Sequence, residues 1–404
     1  MSKSTSASQA APQRSDLVLE GRSVEDGLPL RVLVRDGRIA GLERADAVAG
    51  DSWLSVGWSD LQVNGFAGHD PNAEGADGST VTAMVRSLWA QGVTGSCVTI
   101  CTESPARMLA GIGAVAAACE ADPQAAASII GIHVEGPHIA SEDGPRGAHP
   151  LRHIRPPDVD EYRRWQEAAG GRIRIVTISP EYAGAVDYIR AVVADGVLVS
   201  VGHTTATGDQ IRAAVDAGAR WSTHLGNGAH AQIRRHPNYI WDQLAEDRLS
   251  AGFIFDGHHL PPEVMQSMVR AKGVERSVLV SDALSLAGLP PGDYRMFDGS
   301  ELTLQPSGRL ELTGTPYLAG AAIGLPVCVG NAVRHAAVTL RDAVRMVTAN
   351  PSRLLRLPLD AGRETMRIGA VANLTQFRVA PANGDLTVTR TVLGGDVVYA
   401  AADA

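Results

Sequence analysis

Polar residues stand where apolar segments of this chain end. They are Gln62 and Asn64 in LQVNG, Glu135 in IHVEGP, His203 in VSVGHT, His224 in STHLGN, Asp256, His258 and His259 in FDGHH, and Asp282 in LVSDA. One carboxylate and two imidazoles, with a position left for water, are what a catalytic zinc ion requires. Glu135, His203 and His224 supply that set if the segments carrying them are parallel strands ending on one face. Any one of these histidines alone reads as an ordinary core or loop residue, since a barrel mouth collects polar side chains for many reasons. Asp282 offers a carboxylate able to take a proton from a polarised water and return it to a leaving group. It reads equally as a helix N-cap or as a hydrogen-bond partner of a metal-bound residue.

Such residues need elements to position them. Eight apolar, β-branched runs (WSDLQV, TGSCVTI, SIIGIHVE, RIRIVTIS, VLVSVGH, ARWSTHL, SAGFIFDG and RSVLVSDA) alternate with helical patterns, among them one near 79–91 and one near 105–121. That alternation signals a parallel sheet covered by helices, and eight strands match a (β/α)8 barrel. An open doubly wound sheet would show the same alternation. Short alternating runs recur at both ends: DLVLEG, LRVLVRDGRIAGLE with a turn at Asp36-Gly37, and SWLSVG, then ANLTQFRV, LTVTRTVLG and DVVYA. They predict one β unit made from both ends, although a separate C-terminal domain would look the same. The reading is an α/β chain with a TIM-like barrel over 57–357, a small β-sandwich from 16–56 plus 358–404, and a disordered tail over 1–15.

Composition narrows the partners. The 404 residues carry 36 Lys and Arg against 44 Asp and Glu, a formal net charge of -8. That balance argues against a nucleic-acid surface or an anionic membrane, so an anionic substrate must be caught by a local basic site. Cys97, Cys101, Cys119 and Cys328 form no CxxC pair and lack the density of a disulfide scaffold; Cys97 and Cys101, in the GSCVTIC run, read as small core hydrophobes. No run approaches a membrane span or a signal-peptide core, and a cytoplasmic protein is expected.

Taken in order, DGRIAGLE, GWSDLQVNGFAGHD, GIHVEGPHIA, RGAHP, VGHTTAT, STHLGNGAH, DGHHLPP, LVSDA, YLAG and VANLTQF resemble the N-acetylglucosamine-6-phosphate deacetylases of the amidohydrolase superfamily. The resemblance runs from about Leu17 to Val398. It implies a metal-dependent barrel with a β-sandwich, removing the acetyl group from an N-acetylhexosamine 6-phosphate. It implies Glu135, His203 and His224 as metal ligands and Asp282 as catalytic acid/base. For the substrate it implies His149, Asn227, Gly228, Arg235, His259 and the Leu318-Ala319-Gly320 segment. On chemistry alone Arg234 is a near equal of Arg235, and only the resemblance promotes His149 above a loop histidine. His69, His133, His138, His153, His230, His236, His258 and His335 keep a structural role by default, with His230 and His258 the first candidates for exceptions because of their neighbours.

The chain also departs from that family. Gln62-Val63-Asn64 replaces the HxH pair of two-metal amidohydrolases, so one divalent ion per chain is expected, zinc first, with iron, cobalt or manganese also suited to the ligands. Asn227-Gly228-Ala229-His230 stands where Asn-Ala-Met is usual, Ala321 where serine is usual, and His258 is added before His259. These positions belong to substrate-shaping loops. Another N-acyl amino sugar or a cyclic amide is therefore the alternative substrate, and a non-catalytic sugar-phosphate-binding barrel the alternative class. A homodimer is implied, with no nucleic-acid or membrane partner.

Overall fold

A computed structural model describes residues 16–48, 51–295, 301–315 and 318–402; the tail expected over 1–15 lies outside the described residues. Eight parallel strands follow one another in chain order: β1 (Trp58–Val63), β2 (Val93–Cys101), β3 (Ile129–Glu135), β4 (Ile173–Ile178), β5 (Leu198–Val201), β6 (Trp221–Ser222), β7 (Ser250–Ile254) and β8 (Ser277–Val280). Just past β8 the chain returns to β1. Asp282 N donates to Gln62 O at 2.9 Å, Asn64 N donates to Ala283 O at 2.9 Å, and Val63 bridges Ala283 in parallel. The sheet is thus a nearly closed barrel, and the open doubly wound alternative is excluded. Each of the eight runs named above contributes a strand.

The outer face is covered by amphipathic helices. The first, Gly78–Leu88, starts at Asp77, whose carboxylate accepts from the Ser79 and Thr80 amides. The second, Pro105–Ala121, carries Met108, Ile112 and Val115 into the core shared with Val98 and Ile100 of β2. Inside the barrel, Leu61, Cys97, Ile175, Trp221, Ile254 and Val278 form an apolar cluster. Nearer the strand ends the interior turns polar: His133 bonds Thr177 Oγ1 at 2.7 Å, Thr177 bonds Thr223 at 2.7 Å, and Thr223 bonds Ser200 at 2.6 Å. His133 is fully buried, and burial pushes its imidazole down to about 4.

A seven-stranded sheet joins segments from both ends, in the order Asp396–Ala400, Leu386–Leu393, Leu374–Val379, Ser52–Val56, Leu17–Ser23, Pro29–Arg35 and Arg38–Arg44. It encloses its own core of Leu19, Val32, Val34, Ile39, Leu54, Leu374 and Val392, the small β-sandwich. The turn at Asp36-Gly37 has φ of 49° and 77°, both left-handed, as a two-residue type I′ hairpin turn needs. A further sheet was not anticipated: Gly292–Arg295, Glu301–Leu304, Arg309–Leu312 and Leu318–Ala321 pair antiparallel between β8 and the helix Leu325–His335. Its last strand reaches the barrel mouth, where Ala321 bridges Ala283. Among the described residues no helix is long and apolar enough to cross a membrane.

Candidate metal centre and substrate cavity

β3 ends at Glu135, and the two residues after β5 and β6 place His203 and His224 on the same face. Glu135 Oε1 lies 3.3 Å from His203 Nε2 and 3.0 Å from His224 Nε2, and the two ring nitrogens are 3.0 Å apart. All three side chains are buried. Ligands of a tetrahedral zinc ion at 2.0–2.1 Å stand about 3.3 Å from each other, so these spacings fit one shared cation. The orientation of His203 supports the same use, because its Nδ1 donates to Pro145 O at 2.8 Å and turns Nε2 toward Glu135, where a bound cation would take the place of a proton. Against the upward push of burial, the two imidazoles hold the Glu135 carboxyl well below its ordinary range. His149 adds a nitrogen beside the cluster: one potential ligand atom each from Glu135, His149 and His203 lie within 4.8 Å of one another. Its Nδ1 bonds Thr102 Oγ1 at 2.8 Å, and burial, then the nearby His203, pushes the ring down to about 3, so it is neutral.

β1 and β8 complete the floor. Gln62 Nε2 donates to Glu135 Oε1 at 2.8 Å, and Asn64 Nδ2 donates to Asp282 Oδ1 at 2.6 Å. Burial, reinforced by Glu135, pushes the Asp282 carboxyl up to about 6. Beneath them Asp60, also buried, accepts from the Ser281 and Gln62 amides at 3.2 and 3.3 Å and so ties β8 to β1. His203, His224 and Asp282 have φ of 48°, 28° and 51°. Three non-glycine residues in left-handed backbone at one site is a concentration of strain, of order 1–3 kcal/mol each, that functional sites retain.

A cavity of about 330 Å³ opens over this cluster. It is lined by Asn64, Glu135, His149, His203, His224, Asn227, Gly228, His259, Asp282 and the Leu318-Ala319-Gly320 segment, so nearly all the residues named from the sequence meet there. Asn227 Nδ2 is buried without a hydrogen-bond partner and is available to a ligand. Gly228 lies directly on the His203 ring at φ 54°, where a Cβ would sit 2.6 Å from Nδ1. The absence of a side chain at this glycine is what permits that approach. His259 is oriented from below: Asp256 Oδ2 accepts from its Nδ1 at 2.6 Å, while Asp256 Oδ1 accepts from the His258 and His259 amides.

Arg235 is not brought into this cavity. It is exposed on the loop before the helix Tyr239–Ala245, and its carbonyl accepts from Asn238 Nδ2 at 3.2 Å. Arg234 lines an adjoining cavity with His230, Ile233 and Tyr239. Cys101, read from the sequence as a core hydrophobe, lines the main cavity, its Sγ 3.2 Å from Asn64 Oδ1 and 3.8 Å from Glu135 Oε2. Its place as the last residue of β2 was the signal that could have revealed it. Cys97 is buried, as its core reading requires, and so is Cys328.

No family model matches the chain. It is 31% identical over 400 residues to the N-acetylglucosamine-6-phosphate deacetylase of Homo sapiens, covering 96% of this chain and 92% of that protein. It is 30% identical over 355 residues to the N-acetylgalactosamine-6-phosphate deacetylase of Shewanella sp. (strain ANA-3), covering 87% and 84%. The solved N-acetyl-D-glucosamine-6-phosphate deacetylase of Mycobacterium smegmatis superposes with a TM-score of 0.83 at 30% identity, covering 95% of this chain and 100% of that one. The chain belongs to the N-acetylglucosamine-6-phosphate deacetylase family of amidohydrolase-fold enzymes.

Proposed function

We propose that this protein hydrolyses the acetamide of an N-acetylhexosamine 6-phosphate, N-acetylglucosamine 6-phosphate first, to acetate and the amino sugar phosphate. The observation that carries this reading is the meeting of Glu135, His203, His224 and Asp282 in one cavity of a chain 30–31% identical to such deacetylases. One divalent ion per chain, zinc first, would be held by Glu135, His203 and His224, and would supply a Lewis acid for the acetyl carbonyl and for a water molecule. Asp282 is the proton carrier. Asn64 engages its Oδ1, leaving Oδ2 to accept the proton of the attacking water and hand it to the amine nitrogen as the C–N bond breaks. Water thus supplies the new C–O bond of acetate, and no covalent bond to the protein forms. Thr102 orients His149 and Asp256 orients His259 for hydrogen bonds to the sugar or the developing oxyanion. Asn227 offers its unpaired Nδ2, Gly228 its backbone, and Leu318-Ala319-Gly320 an apolar wall.

Arg235 is the proposed phosphate ligand, in a homodimer whose partner chain adjoins the exposed 231–237 loop. The loop's cationic Arg234-Arg235 pair supports this in a chain of net charge -8. The same reading takes 57–357 as the barrel unit and 16–56 with 358–404 as the β unit, supported by sheet membership, and places the reaction in the cytoplasm, supported by four unpaired thiols. The test is an amine-release screen of N-acetylglucosamine, N-acetylgalactosamine and N-acetylmannosamine, each with and without 6-phosphate. Release from the 6-phosphates is expected; release only from unphosphorylated sugars, or from none, rejects the assignment.

A further inference from the structure

The loop carrying His230 departs from the family pattern, and the structure gives that histidine a complete set of partners. Tyr239 Oη accepts from the His230 backbone N–H at 2.9 Å and bonds its Nδ1 at 3.0 Å. The Glu142 carboxylate can only accept, so Nε2 donates to Glu142 Oε2 at 3.1 Å. Glu142 opens a tight turn over 142–147, in which Arg146 N donates to Glu142 O at 2.9 Å and Gly147 N donates to Gly144 O at 3.0 Å. The turn is pressed against the His230 backbone. A Cβ at Gly144, with φ +93°, would lie 2.9 Å from His230 Cα and 3.1 Å from Ala229 O. At its apex Pro145 O accepts the 2.8 Å bond from His203 Nδ1 that aims the ring at Glu135. Arg146 Nη1 also donates to His149 O at 2.9 Å, so the same turn holds a second cavity histidine.

We infer that His230 is a positioning residue for the cation site: through Glu142 it fixes the 142–147 turn, and through Pro145 O that turn fixes the His203 ring. Two loops, one from β3 and one from β6, are thereby locked across the mouth of the barrel. The inference rests on the proposed metal centre but not on the identity of the substrate. Outer partners of a metal-binding histidine typically change metal affinity by about 10- to 100-fold. A residue one bond further out should act at the lower end, about tenfold.

The test measures zinc dissociation constants by chelator competition in full-length protein, alongside the thermal midpoint of the metal-free form. His230→Ala and Glu142→Ala should each weaken zinc binding about tenfold, and the double variant should be no weaker than either single. Glu142→Gln keeps an acceptor oxygen and should restore near wild-type affinity. A purely structural role would lower the metal-free midpoint in all variants and leave affinity unchanged. Unchanged affinity in both single variants, or losses that multiply in the double, would overturn the inference. If His230→Ala does not fold, the Glu142 pair decides alone. A wild-type protein that binds zinc but releases no acetate would reject the proposed function while leaving this measurement intact.

Discussion

Replacing Asp282 by asparagine separates proton transfer from architecture. The amide keeps the shape of the side chain and an oxygen for the 2.6 Å bond from Asn64 Nδ2, and none of Glu135, His203 or His224 is touched. It cannot carry a proton. Loss of a general acid/base costs about 10²- to 10⁴-fold in rate, so turnover should fall at least a hundredfold at unchanged zinc content. The substitution also has a stability signature opposite to that of ordinary damage. Burial, then repulsion from Glu135, raises the Asp282 carboxyl from 3.8 to about 6 in the metal-free protein. Because the folded value is the higher one, ionisation costs folding free energy. The cost is absent below 3.8, grows as pH rises, and is complete above about 6. That interval corresponds to about 3 kcal/mol. Metal-free Asp282→Asn should therefore melt several degrees above metal-free wild type at pH 8, with most of the gap closed at pH 4.5. Amine release, metal analysis and thermal melts at the two pH values read all three quantities. Activity within tenfold of wild type, or loss of the metal, would refute the proton-carrier role. A lower melting point at pH 8 would refute the electrostatic argument.

Arg235→Ala should raise KM about tenfold or more for a 6-phosphorylated sugar and hardly change it for the neutral one, as loss of a charge-assisted contact predicts; equal effects on both substrates would remove Arg235 from phosphate binding. Asp256→Asn places an amide against His259 Nδ1 and should raise KM about tenfold, the order expected for losing a bond to a charged group, while metal content stays whole. Lys272 is fully buried, donates to Gln243 O and Glu246 O at 2.9 and 2.8 Å, and burial pushes its ammonium down to about 8. Its charge is a cost below pH 8 that is relieved as pH rises toward 10.5, so wild type should gain stability relative to Lys272→Met between pH 8 and 10. Parallel melting curves across that range would contradict this.

The strands could be read from the sequence because each is a continuous apolar run closed by a polar residue. That pattern also put Glu135, His203, His224 and Asp282 at strand ends before any geometry was known. The closure of the barrel could not be read, since it depends on Asp282 N meeting Gln62 O far away in sequence. The 292–321 sheet was missed although ELTLQPSGRLELT alternates around a Pro-Ser-Gly turn, a hairpin signal overshadowed by the stronger barrel pattern. Cys101 shows the limit of composition. It points to the same side of β2 as the core residue Cys97, yet one strand end higher, where the interior opens into the cavity. Arg235 shows another: charge and spacing marked its loop, but where a loop side chain lies is decided by tertiary packing.

The sheet shared by the two ends of the chain has a consequence for how the protein is made. Thr375 Oγ1 bonds Gly92 O and Gln376 Nε2 bonds Glu20 O, contacts 283 and 356 positions apart in sequence. The strand Ser52–Val56 acquires its neighbour Leu374–Val379 only once that distant segment has left the ribosome, although Leu54 is wholly buried in the finished sheet. Until then an apolar strand edge waits open beside a barrel still being assembled. Loop closure over such distances is slow, and open edges invite pairing with other chains. Expression at low temperature or with chaperones should therefore raise the yield of native protein.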